Sequence, residues 1–202
     1  MQRRREILAA LVCAALLPAL AQAQQPQTVR LRGTLEAVSP NQITVRQRNG
    51  DKVDLALAPN LTVTEVYPVT LADIKAGSFV GVGAMPQADG TQRAIAVTLF
   101  PEAMRGTGEG FRPFDFMPQS TMTNATVAVV AVTPDGQRLQ LRYADGQKTI
   151  VVPPGVPIVS LRPADRGLLV PGAAVSVSAQ EVAGQPTATR ISAGRNGFAP
   201  PY

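Results

Sequence analysis

The chain contains 202 residues, carries a formal net charge of +5, and has 16% charged and 4% aromatic residues. Its 17 glycines and 18 prolines disfavour long helices, coiled coils and helical bundles, because both residue types interrupt helices. The lack of histidine and the single cysteine exclude Ser-His-Asp and Cys-His mechanisms within the chain. The same composition removes the commonest nitrogen ligand of zinc and copper.

Residues 1–23 have the pattern of a secretory signal peptide. Arginines at positions 3–5 precede an uncharged run over residues 7–20, and small residues flank a cleavage position after Ala23. The run is shorter than the roughly 18 residues that a spanning helix needs, and an uncleaved membrane anchor is the alternative. We predict a periplasmic or secreted protein with no membrane span after cleavage. Removal of Cys13 would leave a mature chain without disulfides.

The export route has two readings. Arg4-Arg5 fits the core of a twin-arginine signal, and it also fits an ordinary basic segment before the apolar run. We favour the general secretory route.

Two segments, residues 28–99 and 122–194, repeat the same order of predicted elements. Alternating apolar and polar residues predict strands with one buried and one solvated face, and hairpin signals occur at Asn49-Gly50 and Asp145-Gly146. A short helical turn closed by glycine is predicted after the third strand of each copy. Five short strands with a helical turn after the third form the order of the OB fold, a small Greek-key barrel. We therefore predict an all-β protein of two tandem OB-like five-stranded barrels; paired β-meanders or sandwich halves have the same strand count.

Residues 100–121 connect the two predicted barrels, and residues 195–202 form a C-terminal tail. The connector contains four of the six phenylalanines of the chain, whereas flexible linkers are depleted in aromatic residues. We expect these rings to bury against one or both barrels. A packed tether and a ligand-binding surface are both open interpretations of this segment. Its phenylalanines are Phe100, Phe111, Phe114 and Phe116.

The connector also holds the candidate ligand-binding residues. Charged side chains surround its apolar anchors, and a Gly-x-Gly-x-Gly spacing could present backbone N–H groups to an anion. No helix pattern follows these glycines, which argues against a dinucleotide site. The candidate residues are Glu102, Arg105, Gly106, Gly108, Glu109, Gly110, Arg112 and Asp115.

Three motifs of the first repeat carry a family resemblance: residues 33–38 (Gly-Thr-Leu-Glu-Ala-Val), 49–51 (Asn-Gly-Asp) and 71–80 (Leu-Ala-Asp-Ile-Lys-Ala-Gly-Ser-Phe-Val). They resemble a bacterial family of exported OB-like domains of unknown function, and the second repeat matches more loosely. The two-copy layout is similar to a subgroup sometimes labelled metal ABC transporter permease. A permease needs several spanning helices, and this sequence has no second apolar run of that length. The resemblance implies an OB-like fold and supplies no established reaction.

Carboxylates remain as candidates for metal binding or catalysis. Carboxylates, amides and carbonyls suit Ca²⁺ or Mg²⁺, but the chain has no dense Asp-x-Asp-x-Asp-Gly loop, so we predict no metal and no cofactor. Asp73 and Asp165 lie at equivalent places by the helical turns, where accepting backbone N–H bonds is the expected role. The modest charge, the few stacking rings outside the connector and the predicted export disfavour a nucleic-acid partner.

These observations predict a non-catalytic exported binding or accessory protein. Its expected partner is an envelope protein, an envelope polymer or a small anionic ligand. The alternatives are a purely structural subunit of an envelope or transport complex, and a hydrolase that uses paired carboxylates. The oligomeric state is left open.

Overall fold

The computed structural model describes residues 28–134 and 136–202, and 61% of it is strand. The predicted all-β class is confirmed. The predicted signal peptide lies outside the described residues. Within them, no helix is long and apolar enough to cross a membrane. The strands are β1 (Val29–Val38), β2 (Gln42–Gln47), β3 (Lys52–Pro68), β4 (Phe79–Pro86), β5 (Gln92–Leu99), β6 (Gly110–Pro113), β7 (Thr121–Thr133), β8 (Gly136–Tyr143), β9 (Gly146–Val152), β10 (Ile158–Ala164), β11 (Ala174–Val182) and β12 (Gln185–Ala193).

Short 3-10 turns lie near the predicted helical turns, although in the second repeat the turn follows an additional strand, β10, and not the third strand. They comprise three residues each, at Leu71–Asp73 after β3 and Arg166–Leu168 after β10, and a third turn covers Glu102–Met104 in the connector. Aspartates cap the first two: Asp73 accepts hydrogen bonds from the Thr70 backbone and hydroxyl, and Asp165 accepts one from the Gly167 backbone. The described chain contains no α-helix.

The first closed ring combines β1, β2 and β3 with β11 and β12. β1 pairs with β2 and β11, β2 pairs with β3, and β11 pairs with β12, all antiparallel. β12 then runs parallel to β3, with Ile191 beside Val63, and closes the ring. The inward residues of both chain segments share one core, which includes Leu35, Val45 and Val177.

The second closed ring combines β7, β8 and β9 with β4 and β5. Antiparallel pairs join β4 to β5 and β7, and β8 to β7 and β9. A short parallel contact between β5 and β9, at Gln92–Ile150 and Arg93–Val151, completes it. Its core includes Val80, Val82 and Leu139.

The predicted tandem arrangement is not what the strand pairings show, because each ring draws strands from both repeats. The hairpin β4–β5 of residues 28–99 pairs with strands of residues 122–194. Conversely, the hairpin β11–β12 of residues 122–194 pairs with strands of residues 28–99. The physical reason is the likeness of the repeats: alternation fixes which face of a strand is buried but not which strand lies beside it. Either hairpin therefore presents a suitable apolar face to either three-stranded unit.

β10 joins the two rings. It runs antiparallel to the second half of β3, where Arg162 lies opposite Glu65, and parallel to β5, where Val159 lies beside Thr98. Both edges of this strand are paired, so the rings belong to one continuous hydrogen-bonded sheet. This junction positions the site described below.

A disulfide across β1 and β11 tests the hairpin exchange. Arg30 and Ser178 are direct partners in that pair, and directly opposed residues have Cα separations of about 4.5–5.5 Å, within the range that a disulfide spans. We expect the double variant Arg30→Cys/Ser178→Cys to oxidise readily in the purified protein. Mass spectrometry of the non-reduced digest would detect the linked peptides.

Arg142→Cys/Ser178→Cys is the matched control, because Arg142 is exposed on β8 in the other ring. This pair should remain reduced under the same conditions. Failure of the Arg30–Ser178 pair to form would contradict the exchanged pairing.

Candidate functional site

Two outward-facing glycines on β4 make room for the connector and the C-terminal tail. Val80 and Val82 of this strand point into the second core, while a Cβ atom at Gly81 would lie 2.8 Å from the Phe100 ring. A Cβ at Gly83 would lie 3.2 Å from the Tyr202 ring. The absence of side chains at these positions therefore lets aromatic rings approach the backbone of β4.

Three aromatic rings cluster over this strand. The centroid of Phe114 lies 6.1 Å from that of Phe116 and 5.3 Å from that of Tyr202. The Tyr202 hydroxyl lies 2.8 Å from the Thr98 hydroxyl, and burial raises the pKa of Tyr202 to about 12. The tail is thus fixed to the connector and to β5 by aromatic packing and a hydrogen bond.

Glu102 and Arg105, two predicted site residues, form an ion pair within the connector. The Arg105 Nε donates to Glu102 Oε1 at 2.5 Å, and Nη2 donates to Oε2 at 2.7 Å. Nη2 also donates to the Gly77 carbonyl at 2.9 Å. The hydrogen bond from Arg105 lowers the pKa of Glu102. This arginine therefore ties the connector to the segment that precedes β4.

The same pair lines a groove with a volume of about 560 Å³. The connector contributes Glu102 and Arg105, while β10 contributes Arg162, whose guanidinium carbon lies 4.8 Å from the centroid of the Tyr67 ring on β3. Asp73 also lines the groove, so charges of both signs face it. The groove lies at the junction of the two rings, where β10 separates β3 from β5.

A buried carboxylate fixes Arg162 beside the groove. Glu65 accepts a hydrogen bond from Arg162 Nη2 at 2.6 Å and another from Arg195 Nη2 at 2.9 Å. These hydrogen bonds lower the pKa of Glu65 to about 2, against the opposing effect of burial. Charge-assisted bonds to two arginines keep this carboxylate ionised at the centre of the junction.

The remaining predicted site residues lie outside this groove. Gly106, Gly108 and Gly110 have φ angles of 81°, 55° and 125°, and the loop presents the Gly108 carbonyl to Arg112 Nη1 at 2.7 Å. The carbonyl of Gly108 is thus occupied by a guanidinium, an arrangement different from the anion-binding loop that the glycine spacing suggests. Glu109 is exposed.

Asp115 belongs to a different surface, formed with β1. Its Oδ1 lies 2.8 Å from Arg32 Nη2 and 3.7 Å from Arg30 Nη1. The structure therefore divides the predicted residues: Glu102 and Arg105 line the groove, while Asp115 faces the arginines of the first ring.

Sequence reasoning missed Glu65, Tyr67 and Arg162. A weak signal was present, because Glu65 shares the buried face of β3 with Val63. A carboxylate at a buried position predicts a cationic partner, since an unpaired buried charge is costly. The identity of that partner could not be read from the sequence, because β10 meets β3 only through the tertiary fold.

No metal centre is indicated in residues 28–134 and 136–202, where no group of three or more Asp, Glu, His or Cys side chains is placed to hold an ion. Comparison with family models, curated proteins and solved structures gives no match to this chain.

Phe114 should carry more stability than Phe111. Phe114 is 8% exposed within the aromatic cluster, whereas Phe111 is 39% exposed and packs beside Lys148. We expect Phe114→Ala to lower the free energy of unfolding by about 3 kcal/mol, the cost of removing a buried ring. Phe111→Ala, the control, should cost below about 1 kcal/mol. Urea titration measures both; equal losses would contradict a packed connector anchored at Phe114.

Glu65 should contribute to acid sensitivity. Its pKa falls from 4.5 to about 2 on folding, so its stabilising effect is full above about pH 5 and is lost as pH falls toward 2. Glu65→Gln should therefore unfold at a lower temperature than the parent near neutral pH, with a difference that shrinks toward pH 2. Thermal unfolding over this range measures the difference. A constant difference at all pH values would contradict the ionised triad.

Proposed function

We propose that the protein is a non-catalytic exported binding protein, and that the groove between the connector and β10 holds its ligand. The observation that carries this proposal is the convergence of separate elements on one groove: Glu102 and Arg105 from the connector, Tyr67 from β3 and Arg162 from β10. Each of these side chains is fixed by its own contacts, so little ordering cost is added when a ligand binds.

The fold behind this proposal consists of two OB-like barrels that have exchanged their last two strands. In each ring the first strand pairs with the second and fourth, and the fifth runs parallel to the third. A short turn precedes β4 in the first repeat and β11 in the second. The proposed location outside the cytosol rests on the basic and apolar pattern of residues 1–23.

The charges of the groove favour a peptide segment of an envelope protein as the ligand. Arg162 and Arg105 offer guanidinium groups, and Glu102 offers a carboxylate whose side chain is 77% exposed. A chain with polar backbone groups and side chains of both signs complements such a surface, whereas a simple anion would meet the groove's carboxylates as well.

The state of these carboxylates favours binding over hydrolysis. Hydrogen bonds from Thr70 lower the pKa of Asp73, and the bond from Arg105 lowers that of Glu102. Both groups are therefore ionised at neutral pH, whereas carboxylate-based hydrolysis needs one carboxyl group that can donate a proton.

A structural accessory role is the second candidate. Arg105 donates hydrogen bonds to Glu102 and to the Gly77 carbonyl, and it makes a longer contact of 3.5 Å with the Thr126 hydroxyl. This is the arrangement expected of a tether that sets the position of two barrels.

Photo-crosslinking separates the two candidates. Leu161 lines the groove, and Val132 is 82% exposed on β7 outside it. With p-benzoylphenylalanine at position 161, irradiation in the envelope fraction should give a discrete adduct that position 132 does not give. Mass spectrometry would identify the adduct and the crosslinked segment.

Two charge-reversing variants sharpen that experiment. Glu102→Lys should reduce the adduct at position 161 by at least about fivefold, because it removes a groove carboxylate. Glu109→Lys, an equal change at an exposed connector residue outside the groove lining, should leave it unchanged. No adduct at position 161, or equal adducts at both positions, would favour the structural role.

A further inference from the structure

A second pocket, separate from the groove, is strongly cationic. It has a volume of about 190 Å³ and lies between β1, β11 and the C-terminal tail. Its polar lining consists of Arg32, Thr34, Arg48 and Tyr202, and none of the acidic side chains in the described part of the chain lines it. The space exceeds that of one or two water molecules and suits a small anionic group with its attached carbon.

Arg32 is held in place yet incompletely bonded. Its Nη2 donates to Asp115 at 2.8 Å, and its guanidinium carbon lies 5.7 Å from the ring centroids of Phe114 and Phe116. Its Nε is buried and has no hydrogen-bond partner within residues 28–134 and 136–202. A guanidinium carries five N–H donors, and the bond to Asp115 engages one of them, so the Nη groups of Arg32 retain bonding capacity.

Arg48 adds a second guanidinium to the same ring. Its guanidinium carbon lies 5.5 Å from the Phe116 centroid. Among the ion pairs of the described residues, none involves Arg48. The Phe116 ring therefore attracts the guanidinium groups of both Arg32 and Arg48. An anion beside both groups would reduce the repulsion between their positive charges.

The neighbouring carboxylate does not neutralise the positive charge of these arginines. Among the described residues, Asp115 is the acidic side chain in ion pairs with this cluster, and it is shared between Arg32 and Arg30. Proximity to Arg30 also lowers the pKa of Arg112, after the larger effect of burial. One carboxylate thus faces several arginines, and a dianion would balance the cluster better than a monoanion.

We propose that the pocket formed by Arg32, Thr34, Arg48 and Tyr202 binds the phosphate group of a phosphomonoester. Guanidinium groups match phosphate oxygens in bidentate geometry, and a phosphomonoester carries close to two negative charges at neutral pH. The source of the group is either a soluble phosphate ester or the headgroup of a phosphatidic-acid-type lipid, and the chemistry of recognition is the same.

Binding of glycerol 3-phosphate tests the proposal. Calorimetric titration of the purified protein at constant ionic strength should give saturable binding, and Arg48→Gln should weaken it by at least about tenfold. Arg48 is exposed in a turn, so its replacement should leave the melting temperature unchanged. Arg142→Gln, an equal loss of charge at an exposed position of β8, should bind like the parent.

Vesicles separate the two sources. Sedimentation with vesicles of neutral phosphatidylcholine containing a fifth phosphatidic acid, compared with phosphatidylcholine alone, detects a headgroup. Binding to these vesicles that Arg48→Gln abolishes, without binding of glycerol 3-phosphate, assigns the lipid source. Absence of binding to both probes, or equal binding by Arg48→Gln and the parent, would overturn the proposal. Glu102→Lys should not alter phosphate binding, so the result is independent of the proposed groove ligand.

Discussion

The exchange of hairpins between the two halves of the chain is the constraint on which the rest of the structure depends. β1–β3 close into a ring only with β11 and β12, and β7–β9 close only with β4 and β5. Leu35 and Ile191, which are distant in sequence, consequently share one core. In this arrangement each repeat buries its apolar strand faces against the hairpin of the other.

The connector and tail follow from that exchange. The chain leaves β5 and must cross the outer face of β4 to reach β7. The connector and the tail therefore cover that face and shield it from solvent. Gly81 and Gly83 keep it shallow enough for Phe100, Phe114 and Tyr202 to settle on it. Glu65 plays the corresponding part at the junction, where its two arginines come from β10 and from the chain just beyond β12. Aromatic packing thus fixes the connector and tail on β4, and the buried carboxylate of Glu65 fixes the junction of the two rings.

The sequence predicts the local structure far better than the pairing. Alternation places Val80, Val82 and Ala84 on one buried face, as expected. Asp73 and Asp165 accept backbone N–H bonds at the two 3-10 turns, which is the role that the sequence predicts for them. The exchange escapes prediction because equivalent hairpins of a repeat have interchangeable apolar faces, and only the tertiary path decides between them. Connector composition suggests Glu102 and Arg105 as candidates, and both line the groove. Arg162, which lies beside them, is on a strand with non-local partners, so no spacing rule could connect it with them.

β10 places the groove in contact with both rings. This strand is bonded on one edge to β3 of the first ring and on the other to β5 of the second, and Arg162 projects from it while paired to Glu65. A ligand that contacts Arg162 and Glu102 therefore bears on both rings and on the connector at once. Arg105 connects Glu102 to the segment entering β4 through its bond to the Gly77 carbonyl. A ligand bound at the proposed groove would therefore stabilise the exchanged arrangement to the extent that it binds that arrangement more tightly than any other.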